Sequence, residues 1–352
     1  MEGVGMRVLV TGHRGYIGSV LTTVLRNAHI DVVGLDCDLY AGCDFGGFRS
    51  TVPSFEMDLR EIEFRDLLSF DAVIHLASLP EADARTIPPA LMDSVNFGGT
   101  VRLAECCKQA SVSRFLFAST CAVYGQRGAE RLTEDSAATP STPYAHSKLE
   151  SERALADLAD RSFSPVFLRN PTIYGVSPRM RLDLVVNDFV GAAVVHGRVT
   201  MRTLGNAWRP LLHVEDLSRA YLAVLTAPSE KLHNGVLNVV DSSSNHRVID
   251  VADAVVEEVP GATRAAPPME LDERSYRVEG SRFRELFPGF RFRWNLFRGI
   301  RQLRTAFEHA GLTPSEWRSD RFRRSLRLAQ LREQRGIDEL FRASRLRAVS
   351  AA

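Results

Sequence analysis

The sequence predicts an α/β protein: a doubly wound parallel sheet joined to a smaller α/β lobe. Three observations predict it. Short apolar runs suited to buried parallel strands alternate with helical stretches from residue 6 to about residue 170. A glycine-rich turn, Thr11-Gly12-His13-Arg14-Gly15-Tyr16-Ile17-Gly18, separates the first such run from the first helical stretch. Well downstream, Pro143-Tyr144-Ala145-His146-Ser147-Lys148 places a tyrosine and a lysine four positions apart, on one face of a helix.

The elements follow in order. Residues 6–11 form a buried strand, the glycine turn follows, and a helix runs over about 15–27. Asp31–Asp36 is a second strand and completes a βαβ unit of ordinary length. Strands at 71–76 and 114–119 flank a helix over roughly 91–110, and a strand at 163–169 follows the helix that carries Tyr144 and Lys148. After Pro171 the rhythm breaks into shorter mixed segments with several Pro and Gly, which marks a substrate-facing lobe. A helix at 216–226 and a strand at 236–240 return to the main sheet. The expected division is therefore 1–170 with a return segment at about 210–242, a lobe from 171–209 and 243–312, and a tail at 313–352. That tail, with Arg318, Arg321, Arg323, Arg324 and Arg327, is expected to be a solvated helical extension; docking to an acidic partner is the second reading.

Composition narrows the function classes. A chain of 352 residues with 25% charged and 45% hydrophobic residues can bury a substantial core. Its net charge of +1 gives no general reason to expect nucleic-acid or membrane binding. The five cysteines, Cys37, Cys43, Cys106, Cys107 and Cys121, lack paired CxxC spacing, so neither a metal site nor a disulfide framework is expected. With no long apolar run and no leader-like N-terminus, a reducing cytoplasm is the expected setting.

The glycine turn reads as a Rossmann-type dinucleotide site. One glycine makes the tight turn, one lets the backbone approach a pyrophosphate, and one lets helix pack on strand, at positions 12, 15 and 18. The helix N-terminus then offers free N–H groups and a partial positive charge to the phosphates. Asp36, eighteen residues after Gly18, is placed to accept both ribose hydroxyls of NAD and to repel the extra phosphate of NADP. Asp58 is placed to bond the adenine amino group, and serves equally well as a helix N-cap.

These pieces together resemble the extended short-chain dehydrogenase/reductase family, in its nucleotide-sugar epimerase/dehydratase branch, the UDP-glucose 4-epimerase-like enzymes. The branch's TGxxGxxG motif is matched by residues 11–18 and its YxxxK by Tyr144 and Lys148. Its other motifs resemble His75-Leu76-Ala77-Ser78, Asn96-Phe97-Gly98-Gly99-Thr100 and Ser119-Thr120-Cys121-Ala122-Val123-Tyr124-Gly125. Downstream, residues 169–175 and 209–216 resemble two more, so the likeness spans roughly 6–310. The resemblance implies a catalytic set of Thr120, Tyr144 and Lys148. It implies cofactor contacts from Gly12, Gly15, Tyr16, Ile17, Gly18, Asp36, Asp58, Leu59, Leu76, Ala77 and Asn96, besides Tyr144 and Lys148. Substrate contacts fall to Thr120, Cys121, Thr172, Asn187, Arg209 and Arg274. Thr120 is alternatively a strand-end hydroxyl, Arg209 a surface arginine and Asn187 a helix cap. Homodimerisation through the helices at about 91–110 and 143–160 is also implied.

The implied activity is NAD-dependent epimerisation of a nucleotide sugar, at C4, through a transient 4-keto sugar with hydride return from NADH. Dehydrating members carry an Asp-Glu pair after the Ser/Thr, where this chain has Cys121 and Ala122. Thr172 likewise stands where many members place an asparagine. Cys121 reads first as a small buried residue; elimination, or another reaction of a 4-keto intermediate with Cys121 as an unusual acid or base, stays open as an alternative, as does an NAD(P)H-dependent ketoreductase. A non-catalytic NAD-binding sensor is the remaining reading; it has no use for Thr120, Tyr144 and Lys148 together.

Overall fold

The computed structural model describes residues 5–47, 50–81, 87–265, 269, 275–334 and 337–342. Strand β1 (Arg7–Thr11) leads through the glycine turn into helix α1 (Tyr16–Asn27), and β2 (Asp31–Asp36) and the short β3 (Ser54–Glu56) follow. Next come β4 (Ala72–His75), the one-turn α2 (Pro89–Met92), a wide π turn (Asp93–Gly98) and α3 (Gly99–Gln109). Then β5 (Arg114–Thr120), a 3-10 turn (Cys121–Tyr124), the two-residue β6 (Arg131–Leu132), α4 (Pro143–Leu158) and β7 (Ser164–Asn170) complete the first half. The second half contains β8 (Thr172–Tyr174), α5 (Val185–His196), β9 (Arg198–Val199), β10 (Trp208–His213), α6 (Val214–Thr226) and β11 (Gly235–Asn238). The last elements are β12 (Asn245–Arg247), α7 (Val248–Glu258), β13 (Thr263–Arg264), β14 (Arg277–Val278), α8 (Ser281–Leu286), α9 (Leu296–His309), α10 (Pro314–Arg318) and α11 (Arg324–Glu333).

Seven strands form one parallel sheet in the order β11-β7-β5-β4-β1-β2-β3. The order reverses at β1 and β4, and such a switch point opens a crevice at the carboxyl ends of the strands. β3, only three residues long and mostly exposed, is the sheet strand that the sequence pattern does not announce. β10 does not enter the main sheet: it pairs with β8 and β12. Among the described residues only β11, beside β7, returns to it from the second half.

Two apolar layers cover the sheet. One joins Val8, Val10, Leu21, Leu25 and Ile74 to α6 residues Leu217, Tyr221 and Val224. The other joins Leu9, Val73, Phe115 and Phe117 to Leu103, Cys107 and Leu155. Strand residues alternate between the layers, as the period-two geometry of a strand requires.

Helix α4 is capped by Thr142, whose side chain accepts from Ala145 N–H, with Pro143 at its first position. Its buried face is Ala145, Lys148, Leu149, Glu152 and Leu155, which is a helical stripe. Glu152 forms a bidentate pair with Arg169 of β7 (Nε–Oε1 3.0 Å, Nη2–Oε2 2.7 Å) and also accepts from Ser119 Oγ–H. Arg169 continues to Tyr124, whose hydroxyl donates to Asn238 of β11 at 2.7 Å. Both partners of the pair are under a tenth exposed. Glu152→Ala would leave the guanidinium buried without its counter-charge, and such losses cost roughly 3–5 kcal/mol. Urea unfolding of the variant is expected to show a loss of that order; a loss under ~1 kcal/mol, the scale of an exposed pair, would contradict the buried network.

Candidate cofactor and catalytic site

The glycine turn is built by close approach. Gly12 has φ +71°, and a Cβ there would lie 2.7 Å from Ala77 N; a Cβ at Gly18 would lie 2.2 Å from Gly12 O. Helix α1 starts directly from this turn with no side-chain cap and no acidic residue in its first turn. Its leading N–H groups are therefore open to an anion. Under the turn, Thr11 Oγ1, His75 and Thr100 Oγ1 form a buried chain of 2.6 and 2.8 Å contacts that ties β1, β4 and α3.

Beside the turn lies a cleft of about 800 Å³, lined by Gly12, Gly15, Asp36, Asp58, Leu59, Leu76 and Ala77 among others. These seven expected cofactor residues thus share one wall. Asp36, at the end of β2, accepts from Arg14 N–H (3.0 Å) and Asp38 N–H (2.9 Å). Burial pushes its carboxyl upward, against opposing contributions from His13 and those two amides. The neighbouring Arg14 guanidinium is held by Asp38 at 2.9 Å and Glu56 at 3.2 Å, so the cation next to Asp36 is already neutralised. That arrangement suits a ribose hydroxyl better than a ribose phosphate.

Several expected contacts do other work. Asp58 caps the turn that follows it and is clamped by Arg60 through Nε at 2.9 Å, so its carboxylate reaches the cleft wall already paired. Tyr16 and Ile17 bring their backbone to the helix start, but the Tyr16 hydroxyl turns away and donates to Gly175 O at 2.6 Å. Asn96 is buried; its amide accepts from Leu79 N–H and donates to Leu79 O, fixing the strand-end loop rather than facing a ligand. Asn187 is fully buried, accepting from Gly175 N–H and donating to Tyr16 Oη and Arg181 O. Its amide is spent joining α1 to α5, which corrects the expectation of a substrate contact. Cys121 takes the place of a small buried residue, which removes it from the expected substrate contacts. It is fully buried, its thiol donates to Arg169 O, and burial pushes its pKa far up, so it neither reaches substrate nor serves as acid or base. Arg274 lies outside the described residues.

The three residues expected to be catalytic lie on α4 and at the end of β5. Thr120 ends β5, where its Oγ1 accepts from Ala122 N–H at 3.1 Å, leaving the O–H to donate elsewhere. The Lys148 ammonium sits 4.8 Å from the centroid of the Phe117 ring on β5 and 5.9 Å from that of Tyr144. Burial pulls the Lys148 pKa down to about 7, with Glu152 opposing. Burial also pushes the Tyr144 phenol upward, Glu81 adds to this, and Arg181 opposes it. The expected drift of Tyr144 toward phenolate under Lys148 is therefore outweighed by desolvation. Thr172 is half-buried on β8, and Arg209, on β10, lies over the Tyr276 ring at 5.8 Å.

Two groups at the site carry no motif in the sequence. Arg181 forms a bidentate pair with Asp183 (3.0 and 2.9 Å) and bears electrostatically on both Tyr144 and Tyr16. Tyr40 lines the cleft, and its hydroxyl is buried without a hydrogen-bond partner, a group that a polar ligand would satisfy. Glu152, in contrast, was detectable, because it stands four positions after Lys148 on the same face. The tight glycine cradle, the open helix start and the Tyr40 hydroxyl all fit a dinucleotide. Among the described residues no group of three or more His, Cys, Asp and Glu converges to hold a metal ion.

Comparison with known proteins agrees with this geometry. Residues 8–239 match the model of the NAD dependent epimerase/dehydratase family. UDP-glucose 4-epimerase of Streptomyces lividans is 31% identical over 238 residues, covering 61% of this chain and 70% of that protein. Among solved structures, MoeE5 in complex with UDP-glucuronic acid and NAD is 29% identical with a TM-score of 0.75, covering 86% of this chain and 99% of that one. Thermus thermophilus UDP-glucose 4-epimerase in complex with NAD is 28% identical with a TM-score of 0.73 and the same coverage.

The depressed Lys148 pKa makes a signed prediction for the cofactor-free protein. Between pH 7 and the ordinary lysine value of 10.5, the unfolded chain holds a proton that folded Lys148 has lost. Folding stability contributed by this residue must then rise with pH across that window, by at most about 1.4 kcal/mol per pH unit. Denaturation of wild type and Lys148→Met from pH 7 to 9 is expected to show the wild type gaining relative to the variant. Parallel pH profiles would show that Lys148 titrates normally.

Proposed function

The chain belongs to the NAD-dependent epimerase/dehydratase family, and we propose that it inverts C4 of a nucleotide sugar while NAD remains bound. The observation that carries this reading is the single helix face of Tyr144, Lys148 and Glu152, the last two buried and Tyr144 half-buried, in a fold whose cofactor cleft is lined by Asp36. When bound, NAD supplies the acceptor for the C4 hydride and its donor on return. Tyr144 takes the C4-hydroxyl proton and gives it back to the inverted centre. Thr120 donates to the same sugar oxygen and fixes its orientation. The Lys148 side-chain nitrogen lies 5.9 Å from the centroid of the Tyr144 ring, and the Arg181 guanidinium favours proton loss from a phenol that burial otherwise keeps neutral. Arg209, with its guanidinium held over Tyr276, is placed to meet the substrate diphosphate by charge-assisted bonds. Cys121 is sealed in the core, so elimination lacks an acid or base at that position.

The setting we infer is the reducing cytoplasm, which suits five free cysteines, four of them buried. We also infer a homodimer through α3 and α4, as the family resemblance implies. Their outward residues include Arg102, Glu105, His146, Glu150, Arg153 and Asp157. Pairing there is largely ionic, so light scattering is expected to show the dimer weakening at high salt; a single-chain mass at low salt would contradict it.

Tyr144→Phe removes the proton carrier and is expected to cost ~10²–10⁴-fold in kcat, the range for a lost general acid–base. Nucleotide co-purifying with the variant should remain at the wild-type level. Near-normal turnover of a panel of nucleotide sugars by the variant would overturn the mechanism, and a dehydrated or reduced product from the wild type would overturn the reaction.

A further inference from the structure

Among the described residues the arginine-rich tail packs along the molecule from Trp317 onward, while α10 keeps an exposed face that includes Arg318. The tail crosses the molecule through contacts that its composition did not suggest. Trp317 lies against Gly191 of α5, where a Cβ would come within 2.9 Å of its ring. Arg323 pairs with Asp188 of α5 at 2.6 Å. Phe322 is buried, and its carbonyl accepts from Leu182 N–H at 2.8 Å. Arg321 and Arg327 donate to the carbonyls of Asp44 and Ala41 in the loop that follows Asp36. Arg324 is only 3% exposed and lies 4.2 Å from the centroid of the Tyr40 ring. Such an arginine gains stacking and carbonyl contacts in place of water.

Beyond α11 the chain reaches the cofactor cleft itself. Leu328, Ile337 and Phe341 are buried in one apolar cluster with Leu79, Leu91 and Met92, and Tyr40, Val95 and Tyr144 pack against it. Phe341 lines the same cleft as Asp36, Asp58 and Leu59, which is the adenosine end of a dinucleotide bound on the glycine turn. Arg60 clamps Asp58 and also donates to Leu340 O at 2.8 Å, so the tail is fastened to the adenine-side wall. The family match ends at residue 239 and the motif likeness at about 310, so this segment lies beyond both.

We infer that residues 319–334 and 337–342 form part of the NAD site: a strap that supplies Phe341 to the adenosine pocket, holds Tyr40 in the same cleft through Arg324 and retards release of the dinucleotide. The inference rests on the family's cofactor and not on which sugar carbon reacts. A retained cofactor suits an enzyme that regenerates it every turnover, and Tyr144 packs against the same apolar cluster as Leu328, Ile337 and Phe341.

The test uses the full chain. NAD dissociation is followed by displacement of bound fluorescent NADH with excess NAD, in wild type, Phe341→Ala and Ile337→Asp. Ile337→Asp places a charge in the buried cluster and should lift the strap. Phe341→Ala is expected to speed release about tenfold, the equivalent of one contact worth ~1.4 kcal/mol. Ile337→Asp is expected to speed it at least as much. Hydrogen exchange of wild-type amides 337–342 supplies a readout that does not depend on variants, and NAD is expected to slow it. Unchanged release rates together with unchanged exchange would overturn the inference. Tighter or faster NAD binding by the variants would also overturn it, by making the segment a plug. Failure of the epimerase reading would leave all these outcomes intact.

Discussion

The site depends on burying one lysine. Lys148 is 1% exposed, and a charged ammonium cannot be stripped of water without partners. The fold supplies the Phe117 ring beneath it and Glu152 one turn along the same helix face. Glu152 is in turn neutralised by Arg169, and that guanidinium is fixed by Tyr124 and Asn238. A catalytic helix is thereby locked to three strands of the sheet, with Tyr144 carried at its open end. The contacts that hold Lys148 near Tyr144 and the packing that fixes their helix to the sheet are the same set.

The cofactor cleft is assembled from distant pieces of the chain. The glycine turn and Asp36 are local, within the first βαβ unit. Tyr40 belongs to the following loop, and its position is set by Arg324, far along the chain, through stacking rather than a salt bridge. Arg179 pairs with Asp38 and Asp44 on that same loop, so the segment after Asp36 is held by both the second lobe and the tail. Two cationic segments thus order an acidic loop at the ribose end, which leaves the cofactor site only partly a property of the dinucleotide-binding half.

What the sequence revealed follows a physical division. The parallel strands were legible because both faces are buried and the runs are continuously apolar. The glycine turn and the Tyr144–Lys148 pair were legible because their spacing is itself the geometry. Asn96 and Asn187 were misjudged because a motif gives a position, whereas a buried amide's function is decided by which backbone groups reach it first. Cys121 was ambiguous for a similar reason: it opens the 3-10 turn after β5, and its thiol is taken by the Arg169 carbonyl in the core. The tail misled through composition. Arginines in a row suggest a solvated face, but Arg324 is stacked and others bind carbonyls, partners that no local pattern encodes. Phe341 had no local signal at all, since nothing near residue 341 indicates the cleft formed around residues 12 to 95.

The central claim is that oxidation and reduction occur at one sugar carbon without release of the cofactor. It is tested most directly by turning over a nucleotide sugar carrying deuterium at C4, with no nucleotide added, and locating the label in the product. The account predicts a C4-inverted sugar that retains its deuterium at C4. Loss of the label to solvent, its appearance at another carbon, or a strict need for added NADH or NADPH would contradict it.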